Sequence, residues 1–123
     1  MPTLTSTREE LIRAITSAWG PGTSNDADAW TPTNPALGQC AVTALVVQDF
    51  LQGRILRTVV GDVSHYWNEL PSGEELDLTR RQFAAYEPNG RDYRTRDYVV
   101  SFPDTRERYQ RLKAAVVEQL ERA

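Results

Sequence analysis

The chain has 123 residues, of which 40% are hydrophobic, which is enough for one domain with its own core but too short for two. Its 14 basic and 17 acidic side chains give a net charge of −3, and the arginines are interspersed with aspartate and glutamate. Because nucleic-acid binding depends on a concentrated basic surface, this pattern argues against that role. We therefore expect a single domain over residues 1–123 and no nucleic-acid partner.

No segment of the sequence is typical of a membrane span or a secretory signal. No stretch approaches the ~20 apolar residues that cross a bilayer, and the opening MPTLTSTREE has neither the basic nor the apolar region of a signal peptide. We expect a cytoplasmic protein with no membrane partner. The sequence gives no indication of the oligomeric state of the protein.

The chain contains one cysteine, Cys40, and one histidine, His65. A single cysteine excludes an internal disulfide, and one cysteine with one histidine cannot complete the usual zinc-binding sets. We therefore expect no metal and no cofactor. Cys40 acts as a thiol or thiolate or, alternatively, packs as a small buried hydrophobic residue.

The sequence begins with an amphipathic helix, predicted over residues 8–19. Thr7 and Glu10 have the spacing of a capping box, and the GPG sequence at 20–22 ends the helical pattern. The apolar positions between these signals recur at helical intervals: Leu11, Ile12, Ile15, Ala18 and Trp19.

Residues 20–38 are rich in Gly, Pro, Ser, Thr, Asn and Asp, but they also carry Trp30 and Leu37. We expect an ordered loop against the domain, and the sequence leaves open whether it closes over a site. The next segment, CAVTALVVQDFL at 40–51, is apolar on nearly every face. Twelve residues without a turn signal favour a helix that is buried on most sides.

The second half of the chain reads as strands followed by a helix. Short β-type runs at 55–60, 63–70 and 75–78 are separated by turn sequences and predict an antiparallel meander. Residues 79–102 are harder to assign, with a short helical turn ending at 82–83 and a strand at 98–100 as the expectations. From Pro103 a C-terminal amphipathic helix is predicted, with the apolar stripe Tyr109, Leu112, Val116 and Leu120.

Cys40 is the first residue of its predicted helix, and this position suits a nucleophile. The unpaired N–H groups and the macrodipole at a helix start stabilise negative charge on the sulfur. The same N–H groups can receive the oxyanion of a tetrahedral intermediate. Gly38-Gln39 lets the backbone turn tightly into the helix, so Cys40 is the candidate nucleophile.

His65 is the candidate base, and Asp77 on the following strand is the candidate that orients it. Alternation places His65 and Trp67 on one face of their strand. Asp77 shares that face only if odd positions pair with odd positions across the hairpin. A three-residue loop at 71–73 puts Asp77 opposite Trp67 and diagonal to His65, whereas a loop at 70–72 puts it directly opposite His65. The plainer alternatives are a packed strand histidine and a solvent-facing carboxylate.

Three local strings resemble known motifs. Gly38-Gln39-Cys40, HYWNE at 65–69 and DLT at 77–79 resemble the Gly-Gln-Cys, His-x-Trp-Asn-Glu and Asp-x-Thr motifs of the transglutaminase-like branch of papain-fold enzymes. The stretch from Asn34 to Phe83 also resembles the small bacterial YunG-like family. The second resemblance covers about half of the chain.

The transglutaminase-like resemblance implies Cys40 as nucleophile, His65 as general base and acid, and Asp77 as the residue that orients the imidazole. It also implies an α+β fold with a transglutaminase/papain-like core, in which the helix starting at Cys40 packs on an antiparallel sheet between N- and C-terminal helices. An aromatic residue commonly follows the family cysteine, and here that residue is Ala41.

Four further residues are candidates for the surroundings of the site. In the resembling family an upstream aromatic helps to bind the oxyanion, and Trp30 is the candidate here, with the side chain of Gln39 as the alternative. Trp30 also fits a role as an anchor of its loop. Trp67 is expected to line the cleft beside His65, and Asn34 to shape the loop that enters it.

These residues predict a cysteine-dependent acyl-transfer enzyme that hydrolyses an amide or isopeptide bond in a small molecule or peptide. Deamidation, peptide hydrolysis and small-amide hydrolysis all fit the same site, and an amine acceptor would make it a transferase. Two alternatives from other classes are a non-catalytic binding or regulatory module and a thiol-based sensor.

Overall fold

Four α-helices and four antiparallel strands make up the described part of the computed structural model, residues 7–122, which is an α+β fold. The N-terminal half contains α1 (Arg8–Ala18), α2 (Cys40–Leu51), β1 (Arg54–Val60) and β2 (Val63–Glu69). The C-terminal half contains β3 (Glu75–Leu76), a 3₁₀ turn (Arg80–Gln82), β4 (Pro88–Arg94), α3 (Arg96–Val100) and α4 (Pro103–Arg122).

The predicted start of α1 is confirmed in atomic detail. The Thr7 hydroxyl accepts a hydrogen bond from the Glu10 backbone N–H at 3.0 Å, and the Glu10 carboxylate accepts from the Thr7 N–H at 3.1 Å. This reciprocal capping box satisfies two N–H groups that a helix start leaves unpaired. The helix ends at Ala18, and Trp19 follows it in an extended conformation.

The four strands form one sheet in the order β3-β2-β1-β4. The hairpin of β1 and β2 is regular from Arg54 opposite Glu69 to Val60 opposite Val63. The chain then crosses from β3 at one edge to β4 at the other, where β4 pairs antiparallel with β1.

The sheet presents different residues to its two sides. On one side α2 packs against β2, where Asn68 donates from Nδ2 to the Ala44 carbonyl at 3.0 Å and Tyr66 packs among α2 side chains. Alternation along β2 puts His65 and Trp67 on the other side. Phe83 and Tyr86, from the segment between β3 and β4, cover His65 there.

Two groups of buried side chains form the core. The first, which we call the helical core, joins α1, α2 and α4 and contains Leu11, Ala14, Ile15, Trp19, Ala36, Val42, Val46, Val47, Leu70, Leu112, Val116 and Leu120. The second, which we call the site core, contains Cys40, Ala44, Leu45, Ile55, Tyr66 and Val99. Helix α2 contributes to both, so its position is fixed from two sides.

The region after residue 78 differs most from the sequence-based prediction. The expectation of a strand at 98–100 is wrong, because Arg96–Val100 is a short helix whose start is capped by Thr95 Oγ1, which accepts from the Tyr98 N–H at 3.1 Å. Strand β4 was not predicted, since its residues are mostly exposed at the sheet edge and show no apolar alternation. Strand β3 is only two residues long and ends before Asp77.

Candidate functional site

The turn into α2 depends on a glycine. Gly38 has a φ of +73°, and a Cβ at this position would clash with the Ser24 side chain and with Asn25. The backbone N–H of Asn25 donates to the Gly38 carbonyl at 3.0 Å, and Ser24 Oγ donates to the Leu37 carbonyl at 2.8 Å. The 20–38 loop is thus tied directly behind the turn that places Cys40 at the first position of α2.

Cys40 is a free thiol that is only 5% exposed. Its Sγ donates a weak hydrogen bond to the Ser64 carbonyl at 3.7 Å. Within the described residues, β3 pairs with β2 only at Asn68 and Glu69, so the β3-side edge of β2 is unpaired from Ser64 to Trp67. The sulfur of Cys40 therefore contacts β2 at an edge that β3 is too short to cover.

His65 is fully buried and is held by Asp77. The distance from His65 Nε2 to Asp77 Oδ2 is 2.7 Å, and the other carboxylate oxygen of Asp77 accepts from the Thr79 backbone N–H at 3.2 Å. The register that brings them together is odd to odd, with Glu69 opposite Glu75. The Leu70 N–H donates to the Glu74 carbonyl at 2.7 Å and closes the hairpin. The loop is therefore 71–73, the first of the two predicted alternatives.

Three aromatic rings surround the imidazole. Trp67 stacks on it with centroids 5.6 Å apart and an interplanar angle of 18°. Phe83 and Tyr86 meet it edge-on, with centroids at 5.1 and 5.8 Å. These contacts fix the plane of the ring, so that one nitrogen faces Asp77 and the other, Nδ1, faces away from it.

The protonation of His65 reflects opposing effects. Burial favours the neutral ring, but the hydrogen bond to Asp77, the charge of its carboxylate and the neighbouring Cys40 side chain outweigh it and raise the pKa of His65 from 6.5 to about 9. Nδ1 is buried and has no hydrogen-bond partner among residues 7–122.

Two of the surrounding candidates have their donors engaged elsewhere. Trp30 Nε1 donates to the Pro35 carbonyl at 2.9 Å, within its own loop. Gln39 is fully buried and its Nε2 donates to the Gly20 carbonyl at 3.0 Å, while its Oε1 has no partner in the described chain. Both contacts hold the 20–38 loop in place.

A residue without a functional signature in the sequence, Gln82, contacts Asn34. Asn34 Nδ2 donates to the backbone carbonyl of Gln82 at 3.4 Å. The Gln82 side chain in turn accepts, through Oε1, from the Gly38 N–H at 3.2 Å. Gln82 therefore joins the segment after Asp77 to the turn before Cys40, across 44 positions of sequence. No local pattern marks such a contact.

A cavity of about 530 Å³ lies on the Asp77 side of the imidazole. Trp67, Asp77 and Tyr86 form part of its wall, together with the charged side chains of Glu75, Arg80 and Arg91. Neither Cys40 nor His65 lines it. Trp67 thus lines a cleft that borders the Asp77 carboxylate rather than the Cys40 thiol.

The described residues give no indication of a metal centre or a membrane span. Nowhere in residues 7–122 do three or more His, Cys, Asp or Glu side chains come together as a metal-binding group. Over the same range, every helix is too short or too polar to cross a bilayer.

These features define an α+β protein with one antiparallel sheet, in which a cysteine at a helix start lies close to a hydrogen-bonded histidine-aspartate pair. The chain belongs to the YunG family, whose model, described as "YunG protein", matches residues 7–121.

One relative of known origin is the protein named "Uncharacterized protein YunG" from Bacillus subtilis (strain 168). It is 36% identical to this chain over 97 residues, which cover 74% of this chain and 77% of the relative. The expected YunG-like resemblance is therefore confirmed and extends over most of the chain. No solved structure matches the chain significantly.

Proposed function

We propose that the protein is a cysteine-dependent acyl-transfer enzyme that hydrolyses an amide or isopeptide bond. The observation that carries the proposal is the buried His65–Asp77 hydrogen bond of 2.7 Å beside a cysteine at the start of a helix. A nucleophile, a base and a group that orients the base are the three parts that this chemistry requires.

The raised pKa of His65 defines the resting state of the proposed enzyme. With a pKa of about 9, the imidazole of His65 is protonated at pH 7. In the proposed reaction Cys40 attacks as a thiolate, which forms an ion pair with this imidazolium. The thiolate attacks the carbonyl carbon of the amide, and the carbonyl π electrons move to oxygen to form an oxyanion. When the oxyanion collapses, the C–N bond breaks and the proton of His65 goes to the leaving nitrogen.

The second half of the proposed reaction restores the enzyme. His65, now neutral, takes a proton from water, and the hydroxide oxygen attacks the thioester carbonyl. The C–S bond breaks, the acid product leaves, and Cys40 and His65 return to the ion pair. With an amine in place of water, the same steps transfer the acyl group.

We also propose a relationship to the transglutaminase-like branch of the papain fold. Its support is the order of the parts: the cysteine at the start of α2, the histidine on β2 and the aspartate just after β3. The relationship predicts a peptide or small-molecule amide as substrate, and neither metal nor cofactor is needed for the steps above.

The test begins with the reactivity of Cys40. Because the chain has one cysteine, iodoacetamide labelling followed by mass spectrometry reports on Cys40 alone. We expect stoichiometric labelling of the native protein and a loss of about 10²-fold in rate in His65→Ala, since the imidazolium that holds the thiolate is gone. Release of ammonia or amine from glutamine, asparagine and isopeptide substrates then distinguishes the reaction types.

The matched control is Asn68→Ala. Asn68 lies on the same strand and is also buried, but its side chain points to the α2 side and bonds the Ala44 carbonyl. This variant loses a buried polar contact without touching the imidazole, so its labelling rate should stay close to that of the wild type. Equal losses in both variants would reject the triad, because reactivity would then follow stability.

The burial of Cys40 and His65 favours a second candidate, a non-catalytic binding module in which the three residues pack the core. This candidate predicts that iodoacetamide reacts with Cys40 only as fast as the protein unfolds. Fast labelling without turnover of any acyl substrate would instead support a thiol-based sensor.

A further inference from the structure

We propose that Gln82 is a catalytic residue of the site and that its side-chain amide donates a hydrogen bond to the oxyanion of the tetrahedral intermediate. This inference rests on the proposed acyl chemistry and names the donor that this chemistry needs in addition to the backbone N–H groups at the start of α2. Its basis is the hydrogen bonding of the Gln82 amide.

The orientation of the Gln82 amide is fixed by its neighbour. The backbone N–H of Gly38 can only donate, so the Gln82 atom 3.2 Å from it must be the carbonyl oxygen Oε1. The amide nitrogen is therefore the remaining end of the group. Flipping the amide would place two donors against each other and lose this bond.

The free end of the amide is an unusual feature in a folded protein. Gln82 Nε2 is buried and has no hydrogen-bond partner among residues 7–122. A buried donor without a partner is rare in folded proteins, and a ligand that binds there is one way in which it is satisfied. An oxyanion that forms only during the reaction is a partner of this kind.

Gln82 lies beside the turn before Cys40, and the residue that follows it contacts His65. Gln82 Oε1 holds Gly38, two positions before Cys40, and the ring of its neighbour Phe83 packs edge-on against His65 at 5.1 Å. The donors of Trp30 and Gln39, the two candidates for this role that the family resemblance offers, already bind the carbonyls of Pro35 and Gly20. Of these three side chains, Gln82 is the one whose donor nitrogen has no hydrogen-bond partner in the described residues.

Two reactions of Cys40 separate this role from a structural one. Acylation by p-nitrophenyl acetate passes through a tetrahedral oxyanion, and the acetyl group goes to sulfur while p-nitrophenolate leaves. Alkylation by iodoacetamide displaces iodide directly and forms no oxyanion. Loss of an oxyanion donor therefore slows the first reaction and not the second.

Two substitutions test the donor in different ways. Gln82→Glu keeps an oxygen for the Gly38 N–H but removes the amide donor. Gln82→Met adds no charge and removes both the donor and the oxygen that accepts from the Gly38 N–H. We expect both to slow the p-nitrophenolate burst about 10² to 10³-fold, as removal of one oxyanion donor does elsewhere. Alkylation should stay within about threefold of the wild-type rate. Gln110→Glu, on the exposed surface of α4, controls for an added negative charge.

The other outcomes overturn the inference. A burst that slows only in Gln82→Glu reports charge repulsion, and a parallel loss of alkylation in both variants reports a displaced Cys40. An unchanged burst shows that another group binds the oxyanion. If the wild type itself gives no burst while iodoacetamide labels it, the acyl-transfer function fails, and the role of Gln82 fails with it.

Discussion

At the scale of single residues, the imidazole of His65 is balanced between burial and two acidic neighbours. Burial alone would favour the neutral ring, whereas Asp77 and Cys40 favour the charged one and raise its pKa to about 9. Because burial opposes the effects of Asp77 and Cys40, removing either of these side chains should lower the pKa of the ring. His65 is the only histidine in the chain, so its ring protons give an unambiguous NMR signal.

We predict that Asp77→Asn lowers the pKa of His65 well below 9. The substitution keeps the shape of the side chain but removes its charge, while the burial of the ring remains. Turnover should fall about 10² to 10⁴-fold, because an asparagine also favours the wrong tautomer of the ring. The measurements are the NMR titration of the His65 Cε1 proton and the pH profile of kcat/KM.

Glu75→Gln is the control for this prediction. Glu75 is close by on β3 and accepts from Trp67 Nε1 at 2.8 Å, but it does not contact His65 directly. Its variant should keep a titration midpoint close to that of the wild type. Similar midpoints in Asp77→Asn and the wild type would contradict the assigned cause of the raised pKa.

We also predict that the protein becomes less stable as the pH rises from neutral. The folded state holds the His65 proton more tightly than the unfolded state, whose pKa is near 6.5. The resulting stabilisation is fully present below pH 6.5 and is lost as the pH rises through about 9, with a total of about 3 kcal/mol. Urea unfolding at a series of pH values measures it, and a free energy of unfolding that does not fall in this range would contradict it.

The sequence could identify Cys40, His65 and Asp77 because each has a local signature. Cys40 opens an apolar run of helical length, and His65 lies in a strand whose alternation gives it a face. Asp77 lies in a short run that the sequence predicts as a strand, although β3 ends one residue before it. Gln82 has no such signature, since its importance comes from a contact with Gly38 that only the tertiary fold creates. The bond from Gln39 to the Gly20 carbonyl, across 19 positions of sequence, has no local signature either, whereas Trp30 bonds Pro35 within its own loop.

At the scale of elements, the start of α2 is the most constrained part of the chain. Gly38 adopts a positive φ and packs against Ser24 and Asn25, with no space for a Cβ. Since the turn at Gly38 sets both the direction of α2 and the position of the Gln82 amide, a change there should affect stability and reactivity together.

We predict that Gly38→Ala destabilises the protein by at least about 2 kcal/mol, because it combines a left-handed backbone with a steric clash. Gly61→Ala is the matched control, since Gly61 also has a positive φ but has no atom within 4 Å of the added Cβ. It should cost only the conformational penalty of about 1 kcal/mol. Urea unfolding compares the two, and equal losses would show that the packing against the loop contributes nothing.

The elements with strong periodicity could be predicted from the sequence, and those with weak periodicity could not. Helix α1 was marked by its capping box, and the hairpin of β1 and β2 by its turn residues. Strand β4 carries few apolar residues because it lies exposed at the sheet edge. In α3, the strand preference of the Tyr-Val-Val sequence is overridden by the Thr95 cap and by the burial of Val99 in the site core.

At the scale of the whole molecule, the helical core mainly determines stability, whereas the site core surrounds the candidate nucleophile. The helical core holds α1, α2 and α4 together, whereas the site core surrounds Cys40 on the sheet side of α2. Asp49 near the end of α2 adds a polar link, since its carboxylate forms ion pairs with Arg96 and Lys113, each with an N···O distance of 2.8 Å. Helices α3 and α4 are thereby attached to the end of α2 that is remote from Cys40.

This division predicts that damage to the helical core lowers stability without changing the chemistry of the site. Leu112 of α4 is fully buried in the helical core, so Leu112→Ala should cost about 2–5 kcal/mol through lost contacts and the cavity left behind. Neither His65 nor Asp77 belongs to that core, so the His65 titration midpoint should remain near 9. Urea unfolding and the NMR titration measure the two effects in the same variant.

Leu51→Ala serves as the comparison, because Leu51 packs against the same core but is only partly buried. Its cost should be smaller, and its midpoint should also be unchanged. If Leu112→Ala moved the midpoint by a full pH unit at a temperature where the protein is still folded, the two cores would be coupled through α2. The helix would then transmit packing changes at α4 to the position of Cys40, and the site could not be treated as independent of the C-terminal helix.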